Sequence, residues 1–143
     1  MSADVRRVLS AQELAAALAL RHRVFCEEQG VPEREELDGR DDDGVHLVAV
    51  EDGEVLGTCR LLLTGATAQF SRLAIAPEAR LRRLASALLE AAEGEARTAG
   101  AKRMILHAQT YALPLYSSNG WETRGRRFVE AGIEHVAMEK PLA

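Results

Sequence analysis

Lysine is nearly missing from this chain. Lys102 and Lys140 are the only two, and arginine supplies the rest of the basic side. Arginine suits bidentate contacts with anions, although a GC-rich genome gives the same bias. Cysteine is as sparse: Cys26 and Cys59 form neither a disulfide framework nor a zinc spacing, and both lie in apolar stretches, as buried free thiols do. Long apolar runs are absent, "LAAALAL" being too short to cross a bilayer. "MSADVRRVLS" lacks the apolar core of a secretory signal, so the expected location is the cytoplasm, with no membrane partner. A net charge of −4 argues against general nucleic-acid binding. Glycine is missing between Gly65 and Gly94, and no GxGxxG occurs anywhere, which removes a Rossmann dinucleotide site.

What is present is 143 residues, 47% hydrophobic and 28% charged, which fits one globular domain over 1–143 with a real core. Val5 to Leu9 reads as a first strand. Ser10 and Glu13 form a capping box, and Leu14, Leu18, Val24 and Phe25 give a helical stripe ending near Gly30 and Pro32. An acidic loop, "PEREELDGRDDDG", follows. "VHLVAVEDGEVLGTCRLLL" reads as two strands turning at Asp52-Gly53, and "TAQFSRLAIA" as a third. The spacing of Leu84, Leu88, Ala91, Ala92 and Ala96 predicts a helix over 78–99, stopped by Gly100. "RMILHAQ" is a strand, 112–119 a brief helix, and the chain closes as two strands around Ala131-Gly132. The order β-α-β-β-β-α-β-α-β-β predicts an α/β domain, a mixed sheet with helices on both faces.

Two motifs fail on their own residues. "GWETRGRR" has Walker glycine spacing but carries Arg126 where the lysine must stand. The acidic loop fits an EF-hand at Asp41, Asp43 and Gly44, yet Gly39 and Val50 occupy the first and twelfth ligand positions, so no metal is expected. The turn at 77–85 survives. Pro77 ends a strand, a helix start offers unpaired N–H groups, and Arg80, Arg82 and Arg83 add charge around them. Cations at a helix N-terminus oppose its dipole by about 0.3–1 kcal/mol each, so their presence predicts an anionic visitor.

"LAIAPEARLRRLASALL" resembles the acetyl-CoA-binding segment of the GNAT superfamily of N-acetyltransferases, Arg/Gln-x-x-Gly-x-Gly/Ala after a strand. Arg80 and Ala85 match its ends, while Leu81 and Arg83 stand in place of glycines. "AQTYALPLYSSNGW" resembles the family's Asn-x-x-Ala-x-x-Phe-Tyr-x-x-x-Gly-Phe, with Gln109 for the Asn. "LRHRVFCEEQGVPEREELDGRDDDGVHLV" and "FVEAGIEHVAMEK" resemble the start and end of a bacterial subgroup, the ElaA-like acetyltransferases.

The resemblance implies a largely antiparallel sheet in which two parallel strands, "FSRLAIA" and "RMILHAQ", splay apart around the pantetheine arm of acetyl-CoA. The backbone of Leu73, Ala74 and Ile75 would pair with that arm, and the Leu73 amide would polarise the thioester carbonyl. The backbone of Arg80, Leu81, Arg82, Arg83, Leu84, Ala85 and Ser86 would hold the pyrophosphate. Tyr116 stands where the family places the phenol that protonates the leaving thiolate; otherwise it is a packed aromatic. The general base stays open: His46 is placed best, then Glu36 and Asp38, with His107 reaching the cleft or sitting in the core. Arg72, Ser71 and Gln109 would line the cleft, with Arg72, Asp38 and His107 nearest the acceptor. The acidic stretch 33–43 would either attract a cationic amine or serve as a solvated loop. The implied activity is acetyl-CoA-dependent N-acetyl transfer to a primary amine by a monomer or homodimer. The alternatives are a CoA-binding module without catalysis and a transferase for another acyl-CoA.

Overall fold

The computed structural model describes residues 3–142. Seven strands form one sheet in the order β1-β2-β3-β4-β5-β7-β6. They are β1 (Asp4–Arg7), β2 (Val45–Glu51), β3 (Glu54–Thr64), β4 (Thr67–Ile75), β5 (Arg103–Gln109), β6 (Glu122–Glu130) and β7 (Ile133–Pro141). Every pairing is antiparallel except β4 with β5. The β2–β3 hairpin turns at Asp52 and Gly53, and the β6–β7 hairpin at Ala131 and Gly132; all four have positive φ. Two consecutive left-handed residues match the twist of the flanking strands, which is why these dipeptides close hairpins.

The long helices pack on opposite faces. α3 (Leu84–Thr98) lies on the face of Gly57 and Cys59, where the Cys59 thiol approaches the carbonyl of Leu88. A Cβ at Gly57 would stand 2.9 Å from the end carbons of Ile75 and Leu88, so the bare backbone lets this helix settle onto the sheet. Arg60, the next residue of β3, points to the other face and meets the acidic loop after α1 (Ala11–Arg21), which contains the one-turn helix α2 (Glu33–Glu36). Cys59 is fully buried and its thiol pushed up by that burial, whereas Cys26 is only half-buried. No helix among the described residues is long and apolar enough to cross a membrane.

Two local expectations change. α1 turns Ala17, Leu20 and Arg21 inward and leaves Leu14 and Leu18 half-buried, whereas Val24, just beyond it, is buried as the expected stripe has it. Spacing is still helical, but the face is rotated, and a buried arginine hides it from any count of apolar residues. The helix then widens over His22–Glu28 into i→i+5 bonds, such as Gln29 N–H to the Val24 carbonyl at 3.1 Å, and this turns Phe25 and Gln29 toward the sheet. Second, the helix expected over 78–99 starts later. Pro77–Arg82 is a tight 3₁₀ stretch, Arg83 has φ +59°, and α3 begins at Leu84. Arg83, which stands in place of a glycine, thus adopts the left-handed backbone that glycine favours.

At the far edge, β6 is solvent-exposed along almost its whole length and breaks register between Arg124 and Phe128, where residues 125–127 face Val136 alone.

Arg83 is exposed and makes no ion pair among the described residues, so its left-handed backbone has no compensation from the side chain. The variant Arg83→Gly should be more stable by about 1 kcal/mol, since the αL penalty of about 1–2 kcal/mol exceeds the extra entropy of glycine in the unfolded chain. Urea denaturation checks this; an unchanged or lower midpoint would refute it.

Candidate active site

β4 and β5 share only three rungs, Thr67↔Arg103, Ala68↔Met104 and Gln69↔Ile105. Beyond them the strands part, while β4 stays paired with β3 as far as Ile75↔Gly57 and β5 with β7 as far as Gln109↔His135. The sheet therefore opens as a wedge with two intact walls. Backbone groups of residues 70–75 and 106–109 that face the wedge have no strand partner across it, and such groups need one.

One wall is bent. Between Arg60↔Ser71 and Thr58↔Ala74, the single residue Cys59 faces both Arg72 and Leu73, a β-bulge in β4. Arg72 takes φ +58° there. Its side chain holds it: Nε donates to Glu36 Oε2 at 2.9 Å, and Nη2 to the Glu36 carbonyl at 3.1 Å and Asp38 Oδ2 at 3.2 Å.

These contacts belong to a larger cluster. Arg21 donates to Glu36 Oε2 and to Asp41 Oδ1, each at 2.8 Å. Arg60 grips both oxygens of Asp38 at 2.8 Å and reaches Asp41 Oδ1 at 3.0 Å. Arg21 and Arg60 are only 1% and 2% exposed, so three guanidinium groups and three carboxylates neutralise one another largely out of water. The hydrogen bonds from Arg60 hold the Asp38 carboxyl well below the usual range. For Asp41 burial works upward, but the bonds from Arg21 and Arg60 prevail and hold it down.

The wedge and this cluster enclose a cavity of about 590 Å³. Phe70, Leu106 and Tyr116 form its apolar floor; Gln69, Ser71 and His107 line it from the strand face. Tyr116 comes from α4 (Leu113–Ser117), edge-on to Phe70 and Trp121 with centroids 6.4 and 6.1 Å away. It is 7% exposed, its hydroxyl bonds to nothing among the described residues, and burial pushes the phenol well above its ordinary range. At the mouth, Gln29 receives a hydrogen bond from Gln109 Nε2 at 2.9 Å and approaches the Tyr111 hydroxyl at 3.5 Å. On the third side, His107 Nδ1 meets Glu130 Oε2 at 2.9 Å and His135 Nδ1 the Ile133 carbonyl at 2.7 Å.

The sequence profile of the acetyltransferase (GNAT) domain matches residues 7–142. The chain belongs to the GNAT acetyltransferase family. A Bacillus subtilis protein assigned as an acetyltransferase (BSU40680) is 33% identical over 140 residues, covering 96% of this chain and 95% of that one. The structure of an acyl-CoA N-acyltransferase from Pseudomonas aeruginosa superposes with a TM-score of 0.84 at 30% identity, covering 98% and 99% of the two chains. Escherichia coli ElaA superposes with a TM-score of 0.86 at 23% identity over 96% and 99%, a likeness of fold.

Within this GNAT domain, several residues picked from sequence meet in one place. Leu73, Arg72, Asp38, Glu36, His107, Gln109 and Tyr116 all line the cavity. Ala74 and Ile75 continue the β4 wall beside it, and the Ile75 carbonyl accepts from Arg80 Nε at 3.2 Å. His46 does not line it. On β2, two strands from the wedge, its ring Nε2 bonds the Asp41 carbonyl at 2.8 Å, pinning the acidic loop. Glu36 is an ill-suited base, because its Oε2 already accepts from Arg21 and Arg72. The acidic stretch is not an open negative rim either. Glu36, Asp38 and Asp41 are spent on arginines and Asp43 on Arg40, leaving Glu33, Glu35 and Asp42 exposed without ion-pair partners among the described residues. No group of side chains suited to a metal occurs among the described residues.

The arginine turn changes most. Glu28 grips Arg80 through both oxygens at 2.6 Å, and Glu51 pairs with Arg82. Two of its three charges are thus already answered, which weakens the case for an anion from charge alone. What remains is Arg83, the exposed backbone of Leu81 and the first N–H groups of α3 at Leu84, Ala85 and Ser86, which no side chain caps. His135, Glu130, Gln29 and Tyr111 were missed. They are scattered over three segments, and only the β5–β7 register and the turn of the π-helical segment bring them together.

Removing Arg21 takes one buried partner from Glu36 and from Asp41, which keep Arg72 and Arg60, so Arg21→Met should cost about 3 kcal/mol in urea denaturation, the low end for a broken buried pair. A loss below about 1 kcal/mol would mean the cluster does not need it. Because Asp38 and Asp41 are held low in the folded state, their contribution is complete above about pH 4, the ordinary carboxylate range, and disappears as pH falls further.

Proposed function

We propose that this chain is an acetyl-CoA-dependent N-acetyltransferase acting on a primary amine, in one domain, by direct attack with both substrates bound. The observation that carries the reading is the Tyr116 hydroxyl, which bonds to no described residue and opens onto the cavity at the wedge between β4 and β5. A phenol with no protein partner at such a place is free to donate to charge that develops on a ligand atom during reaction. The wedge fits a narrow, amide-bearing arm, since its walls carry strand backbone with no partner. The GNAT assignment and the acyl-CoA N-acyltransferase neighbour support the same donor class.

Bound acetyl-CoA supplies an acetyl group as an activated thioester. Leu73, Ala74 and Ile75 offer it a strand edge, with the Leu73 N–H as the donor toward the thioester carbonyl. The start of α3, with Arg83, and the Arg80–Arg82 backbone receive the phosphates. Arg80 must leave Glu28 to take part. Tyr116 serves as a hydrogen-bond donor to the leaving sulfur rather than as a source of its proton, because a phenol is a weaker acid than a thiol even in water and burial weakens it further. The proton that the sulfur finally carries comes from the attacking nitrogen. The acceptor is an amine whose approach lies along Gln69, Ser71 and His107, and Glu33, Glu35 and Asp42 outside give it mild attraction. The reading is of a cytoplasmic enzyme of the ElaA-like kind.

Thiol release from acetyl-CoA should rise on adding a primary amine. Tyr116→Phe should lower kcat about 10- to 100-fold, the worth of one hydrogen bond to a charged sulfur, and leave acetyl-CoA affinity unchanged. Tight acetyl-CoA binding with no release for any amine would overturn the reading. A full-rate Tyr116→Phe would overturn the role of the phenol.

A further inference from the structure

His107 and His135 face the cavity from neighbouring strands, and each ties its Nδ1 to an oxygen that only accepts, Glu130 Oε2 and the Ile133 carbonyl. Such a partner fixes the proton on Nδ1, so in the neutral ring the lone pair sits on Nε2. Neither Nε2 has a hydrogen-bond partner among the described residues. Phe128 stands between the two rings, edge-on to His107 at 5.0 Å and stacked on His135 at 5.9 Å, which sets the plane of both.

The two rings differ in what stands behind them. His135 is buried against a neutral carbonyl of its own strand. His107 is half-exposed, lies two residues beyond the last β4–β5 rung, and has a carboxylate behind its Nδ1. A carboxylate stabilises the imidazolium that forms when a proton arrives, and a carbonyl does so less. Glu130 from β6 bonds His107 and Phe128 packs against it; His135 from β7, the uncharged Gln69 and Ser71 from β4, and the mutually paired charges of the Arg60–Arg72–Glu36–Asp38 cluster line the same cavity.

We infer that His107 Nε2 is the proton acceptor for the acceptor amine, and that Glu130 is the residue that positions and orients it. This rests on the transfer reaction proposed above. A primary amine at neutral pH is mostly its ammonium form. One N–H proton passes to Nε2, and the freed lone pair forms the C–N bond to the thioester carbonyl carbon as the C–S bond breaks. A second nitrogen proton ends on sulfur, giving amide and thiol, and His107 returns its proton to solvent. Phe128 and His135 hold the ring edge in place without taking part.

The test compares wild type with His107→Gln across n-butylamine, ethanolamine, glycinamide and trifluoroethylamine, a series of falling basicity that ends in an amine already neutral at pH 7. The variant should lose about 100-fold or more in kcat/KM for n-butylamine, with the penalty shrinking along the series and nearly vanishing for trifluoroethylamine. Its urea midpoint and acetyl-CoA affinity should match wild type. A readout without turnover is the ¹⁵N spectrum of the ring: wild type should show His107 protonated on Nδ1, and Glu130→Ala should let it relax toward the Nε2–H form. An equal penalty for all four amines, or a wild-type ring protonated on Nε2, would overturn the assignment while leaving the transfer reaction standing. A wild type that binds acetyl-CoA and acetylates none of the four would overturn both.

Discussion

Three backbone rungs hold β4 to β5, and the place where they stop determines the rest of the molecule. A sheet normally satisfies its N–H and C=O groups sideways, strand to strand. Here the two central neighbours abandon each other while each keeps its outer partner, so the opening is framed by a paired strand on both sides. Tyr116 rises into the gap from beneath, Arg72 and Leu73 bulge into its upper wall, and the β6–β7 hairpin closes the third side. A wedge in a sheet is costly unless something strand-like fills it, and that is the physical basis for reading the site as a place for an extended ligand.

The bulged wall needs a restraint, and the ion cluster provides it. Arg72 would not hold a left-handed backbone on conformational grounds. Its guanidinium is anchored to Glu36 and Asp38, which Arg21 and Arg60 anchor in turn. Desolvating six charges is unfavourable, and hydrophobic replacements of the same shape would often do as well for stability alone. What the cluster adds is direction: it ties α1, the acidic loop, β3 and β4 at fixed angles around the cavity. His46 adds one more tether from β2.

Much of the frame was legible in the sequence. The Asp52-Gly53 and Ala131-Gly132 turns, the alternating strands and the order of elements gave the sheet, and the family resemblance gave the splayed pair. Side-chain partners were not legible. Patterning treats an arginine as a surface residue, so Arg21 obscured the true inner face of α1. Charge counting treated Arg80 and Arg82 as free, although their partners Glu28 and Glu51 lie 52 and 31 residues away. Apolar periodicity carried the third helix back to residue 78, because it does not register the reversal of φ at Arg83. His135 escaped notice for a related reason: a histidine on a strand acquires meaning only from the strand beside it.

The broken register of β6 has a consequence for how this protein behaves in a crowded solution. An outermost strand normally offers a ladder of unpaired amides that another chain can extend, the first step toward fibrous aggregates. Here three residues crowd opposite one, the local backbone buckles at Gly125, and Arg124, Arg126 and Arg127 cluster along the same short stretch. The opposite margin, β1, is four residues long and too short to serve as a template. Both rims of the sheet thus resist extension, and a fold that keeps a gap at its centre is protected from being lengthened at its ends.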